Sequence, residues 1–383
     1  MIFLYIMAVT LILNLEVCFS QANDQMIKFG MTTALSGPNQ FLGRSIRDGM
    51  LKRFDEANER DEIPGKTIEL IVLDDSYDPD EAVKHAETLI DTHKVIALIG
   101  NVGTPTAART EPLANAKSVV FYGAFTGSDI LRKTPPNAYT FNFRASYEQE
   151  MEVIVDHILA QGISARRIAL FLQKDSYGDA GYHAAKKILV ERGFEYVDEL
   201  KTVSYERNTL SVQAAVEELL RSHIEIEAII IVGAYQASGE FIRLMHRIYP
   251  KVRFYNLSFV GAPVLAQVLP KVAKRVYMTQ VVPIRGGLPE CATSKEKILE
   301  NFSSNSIQIE GYLAASVLVD TLKKISGSIT SKSLKKALEQ MGDFDTAMLG
   351  NLSLSKDDHQ VSDCVWLSEL IHNKQWVATE KNH

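Results

Sequence analysis

From Ile27 onward the chain alternates short apolar runs rich in β-branched residues with amphipathic stretches of helical period, and few folds accept that order. The run IKFGMTTA (27–34) is followed by SIRDGMLKRFDEAN (45–58), where Ile46, Met50, Leu51 and Phe54 share one helical face. TIELIVLDD (67–75) precedes DEAVKHAETLID (80–91), with Pro79 marking the helix start. Apolar runs at 95–99 and 118–122 flank a helical stretch at 105–116. After Ala145 the pattern restarts. Helices are expected at 148–160, 180–192, 209–222 and 239–249, and strands at 166–173, 196–203, 228–234 and 253–259. A strand-like 276–283 leads to helical patterns at 307–325 and 333–341, and the tail (349–355, 363–371, 375–378) alternates like antiparallel strands. Repeated βα units require a parallel sheet with helices on both faces. The expected fold class is therefore α/β, with two doubly wound parallel-sheet lobes joined by a multi-strand hinge. Residues 26–145 and 282–350 form lobe 1; residues 146–281 and 351–380 form lobe 2. Crossings near Ala145, Val282 and Gly350 would let the lobes close on a small guest.

Within this order, residues 95–129 carry the most chemistry. Both apolar runs break at a glycine into a turn that supplies a threonine, Thr104 and Thr126. If the two strands are parallel neighbours, both turns emerge at one carboxyl edge, where open α/β sheets bind ligands. Close backbone approach, free N–H groups and two hydroxyls make a seat for a small anion. Helix capping is the plainer role for either threonine, and the two roles can coexist. No nucleophile–base pair accompanies the seat, so the expectation is a grip and not an enzyme.

Composition narrows the field further. A chain of 383 residues, 46% hydrophobic and 23% charged, can bury two substantial cores. A formal charge of −6, with no basic cluster interleaved with aromatics, argues against nucleic acid. The nine histidines stand singly, so no metal site and no cofactor are expected. Asp74–Asp75 reads as a solvated, turn-starting pair. Arg285–Gly286–Gly287 is no phosphate loop, since neither a lysine nor a helix follows. A dehydrogenase would need G-x-G-x-x-G after the first strand, and it is missing. Residues 1–22 form a short apolar stretch with Ser20 and Ala22 at the −3 and −1 positions of a cleavage site. That reads as a signal peptide, with an uncleaved membrane anchor as the alternative. The expected location is periplasmic or otherwise extracytoplasmic. Cys291 and Cys364 would then remain, read as two free or buried thiols with a single disulfide as the alternative.

Seven segments together resemble the leucine/isoleucine/valine-binding proteins, the type I periplasmic solute-binding proteins of ABC importers. They are ALSGPNQFLG (34–43), LDDSYDPDEAV (73–83), ALIGNVGTPTA (97–107), YGAFTGSDIL (122–131), QKDSYGDAG (173–181), VGAYQASGEF (232–241) and IEGYLAASVLVDTL (309–322). The resemblance covers nearly all of residues 26–378. It implies that Thr104 binds the ligand carboxylate, that the Ala124 carbonyl accepts from the ligand ammonium, and that Thr126 touches the ligand through backbone and hydroxyl. It also implies that Tyr177, Tyr235 and Tyr312 line the cleft; for Tyr312, on an amphipathic helix, a core role is the alternative. Phe41, Phe125 and Phe259 could line the cleft or simply pack.

Three departures stand out. Ser258 takes the place of the acid that faces the ligand's ammonium, Leu42 replaces a cleft tyrosine, and Tyr77 and Gly103 stand where a cysteine pair bridges two turns. An uncompensated buried ammonium costs several kcal/mol, whereas a serine hydroxyl returns about 1 kcal/mol. The expected ligand therefore has a carboxylate or amide head and an apolar or aromatic body. A zwitterionic amino acid is the alternative if Asp129, Asp175 or Glu240 substitutes. The resemblance implies a membrane permease of an ABC importer as partner; a ligand-sensing module feeding a receptor or regulator is the competing role.

Overall fold

A computed structural model describes residues 26–195, 197–270, 273–284, 292, 302, 305–346, 348–371 and 374–379. The signal segment, Cys18, Cys291 and the 285–287 tripeptide lie outside the described residues. Two sheets organise the chain. In the first, β1 (Met26–Thr33), β2 (Thr67–Asp74), β3 (Ala97–Ile99), β4 (Val120–Tyr122) and β5 (Thr140–Phe141) are all parallel, in the order β2-β1-β3-β4-β5. Between them run α1 (Gln40–Glu59), α2 (Pro79–Glu87) and α3 (Thr104–Ala116). Strands buried on both faces need continuous apolar runs, and Ala97–Ile99 and Val120–Tyr122 are buried throughout.

The second sheet follows α4 (Tyr147–Ala160). It contains β6 (Ile168–Gln173), β7 (Lys201–Tyr205), β8 (Ala228–Val232), β9 (Arg253–Asn256) and β10 (Val276–Gln280), parallel to one another. Helices α5 (Ser176–Glu191), α6 (Gln213–Arg221), α7 (Tyr235–Ile248) and α8 (Ala262–Val268) connect them. The chain then returns to the first lobe as α9 (Ser306–Lys323), which packs along α1, and α10 (Ser331–Glu339). A small hairpin, β11 (Gly342–Phe344) with β12 (Leu352–Leu354), precedes two antiparallel edge strands on the second sheet, β13 (Trp366–Ile371) and β14 (Gln375–Ala378). The sheet order is β14-β13-β10-β9-β8-β6-β7.

The chain therefore passes between the sheets three times. On two of these passages the backbones run side by side: Asn142 N donates to His359 O, Val361 N to Asn142 O and Ser362 N to Phe143 O. One continuous apolar core spans both lobes, and a second, smaller cluster lies on the other face of the first sheet.

Several expected elements shift. Residues 197–199 form a 3-10 turn and the strand begins only at Lys201, while the strand expected to reach Phe259 stops at Asn256. Helix α5 starts at Ser176, four residues early, because the Asp175 carboxylate caps it by accepting from Tyr177 N at 2.9 Å. Cys364 is disulfide-bonded, which corrects the reading of two free thiols. Among the described residues, no helix is long and apolar enough to cross a membrane.

Candidate functional site

In each sheet the strand order reverses at one place: between β1 and β3 in the first, and between β6 and β8 in the second. The connections leaving such a switch point diverge to opposite faces and open a crevice at the carboxyl edge. The two crevices face each other. Tyr77, from the turn after β2, meets Gln173 at the end of β6, whose Nε2 donates to its hydroxyl at 3.3 Å. Its ring lies 6.4 Å from that of Phe259, beyond β9. Phe125, beyond β4, lies 5.5 Å from Phe259. At the rim, Phe41 stands edge-on to Tyr235 at 6.3 Å, and Asn39 Nδ2 donates to Asn208 Oδ1 at 3.1 Å.

The first-lobe wall holds the two threonines. Thr104 opens α3, so its N–H is one of the first helical amides and has no intrahelical acceptor. Gly103 precedes it with φ 98° and ψ 154°, a region essentially reserved for glycine. Both threonines are fully buried and their hydroxyls share a hydrogen bond of 2.7 Å. Thr126 Oγ1 also donates to Tyr147 Oη at 3.3 Å and accepts from Ser128 N at 3.2 Å. The Ala124 carbonyl accepts from Thr126 N at 2.8 Å, which leaves it a second lone pair.

From the second lobe, Tyr177 and Tyr235 sit in the first turns of α5 and α7, on either side of the switch point. Tyr177 is fully buried, 4.5 Å from Phe259 and 5.5 Å from Tyr147 between ring centroids. Among the described residues its hydroxyl has no hydrogen-bond partner. Burial lifts its pKa well above the ordinary tyrosine value, so it is a neutral donor.

Behind Phe125, Arg144 lies over the ring at 4.2 Å and forks onto Glu310 through two bonds of 2.9 Å, with both side chains almost completely buried. Burial alone would lower the Arg144 pKa, but the charges of Glu310 and Glu150 outweigh it and hold the guanidinium above its ordinary value. Among the described residues its Nη1 has no acceptor. Arg132 threads the crossing, donating to Ser128 O at 2.9 Å and Arg144 O at 2.7 Å. Burial, followed by repulsion from Arg144, draws it down to about 10.

Six of the seven expected ligand residues gather around this cleft: Thr104, Ala124, Thr126, Tyr177, Tyr235 and Ser258. The seventh does not. Tyr312 lies on the flank between α9 and α1, its hydroxyl donating to Glu56 at 2.7 Å and its ring edge-on to Phe302. Helical periodicity cannot tell one flank of a helix from another, and this tyrosine serves helix packing.

The three acids proposed as substitutes for the missing one are engaged elsewhere. Glu240 forks onto Arg243, Asp175 caps α5, and Asp129 accepts from Ser128 Oγ. The acid that sequence reasoning missed is Glu150, on α4. Fully buried, it accepts from Ser258 N at 2.7 Å, from Ser258 Oγ at 2.9 Å and from Thr279 Oγ1. No local pattern joins residues 108 apart, so only the fold brings this pair together.

Asp74 and Asp75 shape the turn that aims Tyr77. Asp74 Oδ1 accepts from the backbone N–H groups of Leu35, Ser36 and Ser76. Asp75 accepts from Tyr77 N and Thr32 Oγ1. Asp75 is fully buried, correcting the solvated reading, and burial pushes it up to about 7. Among the described residues no group of three or more His, Cys, Asp or Glu could hold a metal.

A family model described as periplasmic binding protein matches residues 26–375. An amino acid binding protein of Pseudomonas aeruginosa is 23% identical over 292 residues, covering 75% of this chain and 74% of that one. A crystal structure from Rhodopirellula baltica, described as a possible leucine/isoleucine/valine-binding protein, is 35% identical with a TM-score of 0.86. It covers 93% of this chain and 97% of its own. A branched-chain amino acid ABC transporter structure from Thermus thermophilus with bound valine shares the fold at 18% identity and TM-score 0.79, covering 93% and 96%.

Proposed function

Because the chain belongs to the periplasmic binding protein family, we propose that it is the extracytoplasmic solute-binding component of an ABC importer of the branched-chain amino acid type. In this reading it captures a small amino acid, carboxylate or amide between its lobes and presents the closed form to a membrane permease. The observation that carries this reading is the buried hydroxyl pair of Thr104 and Thr126, 2.7 Å apart, at a helix start facing an aromatic wall from the other lobe. Hydroxyls and a first-turn amide hold a carboxylate through charge-assisted bonds of roughly 1.5–3 kcal/mol each. Tyr177, Tyr235, Phe125 and Phe259 exclude water from it, and the three crossings, two of which run side by side, act as the hinge. The family is one of solute-binding, non-enzymatic proteins, and the chemistry asked of the site is recognition.

A thermal-shift panel of branched-chain amino acids, aromatic acids and short amides tests the reading. A ligand at one hundred times its Kd adds roughly 2.7 kcal/mol of stability. Thr104→Ala and Thr126→Ala should each abolish the shift while leaving a cooperative melt; normal binding by both variants would refute the seat.

A further inference from the structure

We propose that Glu150 is a specificity-determining residue of the cleft, acting through Ser258 to select ligands that carry a cationic nitrogen. The inference rests on the cleft reading above and names the ligand class within it. Ser258 alone is a poor partner for a cation, because a hydroxyl can turn either its proton or its lone pairs toward the guest. Here the choice is removed. Ser258 Oγ gives its proton to Glu150 Oε1 at 2.9 Å, so only lone pairs remain to face the cleft, with the carboxylate directly behind them. Ser258 N, donating to the other carboxylate oxygen at 2.7 Å, fixes the hydroxyl's position.

The charge balance points the same way. The hydrogen bonds that Glu150 accepts come from Ser258 N, Ser258 Oγ and Thr279 Oγ1, all neutral donors. The nearby Arg144 guanidinium is already forked onto Glu310. Arg144 and Arg132 both feel the Glu150 charge without forming an ion pair with it, and a cation arriving at Ser258 would add a partner one hydroxyl away from the carboxylate. Helix α4 also fixes where the cation must sit relative to the seat. Tyr147, one turn before Glu150 on the same helix face, touches Thr126, and its ring lies 5.5 Å from that of Tyr177. One helical turn thus spaces the carboxylate seat from the acceptor.

Matched pairs test this: leucine against 4-methylpentanoate, and phenylalanine against 3-phenylpropanoate, measured by isothermal titration on the mature protein. Wild type should prefer the amino-bearing member of a pair roughly ten- to a hundredfold. Glu150→Gln should bring that ratio close to one, while Thr104→Ala should weaken both members equally. Since Glu150→Gln also disturbs a buried network, Ser258→Ala serves as the second variant; it leaves the carboxylate in place and should shrink the ratio too. A preference that survives unchanged in either variant overturns the proposal, as does tighter binding of the des-amino acids by wild type, which leaves the cleft reading intact. Binding of neither member of either pair, nor of any other compound in the panel, overturns the cleft reading itself.

Discussion

The Tyr77–Gly103 contact offers a quantitative check within one lobe, independent of closure. A Cβ built on Gly103 would lie 2.1 Å from Tyr77 Cε2, far inside contact distance. Gly103→Ala therefore carries two penalties. The backbone at φ 98° and ψ 154° costs an L-residue about 1–3 kcal/mol, and the overlap with the Tyr77 ring adds about 1–3 kcal/mol. Reduced freedom of the unfolded chain returns about 0.4–1 kcal/mol. The net expectation is a loss of roughly 2–5 kcal/mol. Only the second penalty depends on the ring. In a Tyr77→Ala background, which by itself costs roughly 3–5 kcal/mol as a large aromatic truncation, the same glycine substitution should cost about 1–3 kcal/mol less. Urea unfolding of the four proteins, with unchanged m-values, closes the double-mutant cycle. Additivity within about 0.5 kcal/mol, or a Gly103→Ala loss below 1 kcal/mol, would refute the claim that the Tyr77 ring packs against Gly103.

Two further outcomes follow from buried charges. Asp75, lifted to about 7 by burial, holds its proton more tightly folded than unfolded. Its contribution is therefore fully present below about pH 4 and is lost as pH rises through 7, by roughly 4 kcal/mol at most. Asp75→Asn should flatten the urea midpoint between pH 4.5 and 7.5, and an equally steep dependence in the variant would exclude Asp75 as its source. Glu310→Gln leaves the Arg144 guanidinium buried without its fork and should cost about 3–5 kcal/mol. Replacing both residues with methionine should recover most of that loss in thermal melts; a harmless single substitution would contradict the geometry.

How much of this was legible depended on the range of the signal. The βα alternation was, because fully buried parallel strands must be apolar runs whatever their partners. Thr104 and Thr126 were too, since each follows its strand directly and strand direction alone sends both to one edge. The starts of α5 and α7 were not. Gly178 looked like part of a turn, yet it lies inside α5, and it is glycine because a Cβ there would lie 1.9 Å from Gln173 O at the end of the preceding strand. Tyr177 consequently occupies a buried first turn instead of a loop. Tyr312 carried only a helical period, which does not reveal the face it serves. Glu150 looked like any acid in the first turn of a helix, a position favoured by the helix dipole alone.

If the proposed cleft holds a guest, the polar groups left over there would select it by complement. Among the described residues, Tyr177 Oη in the cleft wall and Arg144 Nη1 behind Phe125 are buried donors without acceptors, and each unsatisfied donor costs about 1–3 kcal/mol in the closed protein. Ser258, its proton committed to Glu150, is an acceptor without a donor on the cleft side. Ring contacts such as Tyr77–Phe259, Phe125–Phe259 and Phe41–Tyr235 stabilise closure whatever the guest. They set how much of the affinity is spent on ordering the lobes, but not which molecule is held. Discrimination falls to the unpaired groups, because a guest that leaves a buried donor unmet forfeits the whole desolvation cost. Under the proposed reading, a molecule rich in acceptors at one end and donors at the other would answer both sets, and a monoanion would answer only the first. The expectation that a serine in place of the acid turns this cleft against ammonium groups therefore has a rival in the position of one carboxylate, supplied by a helix that the local sequence gives no reason to inspect.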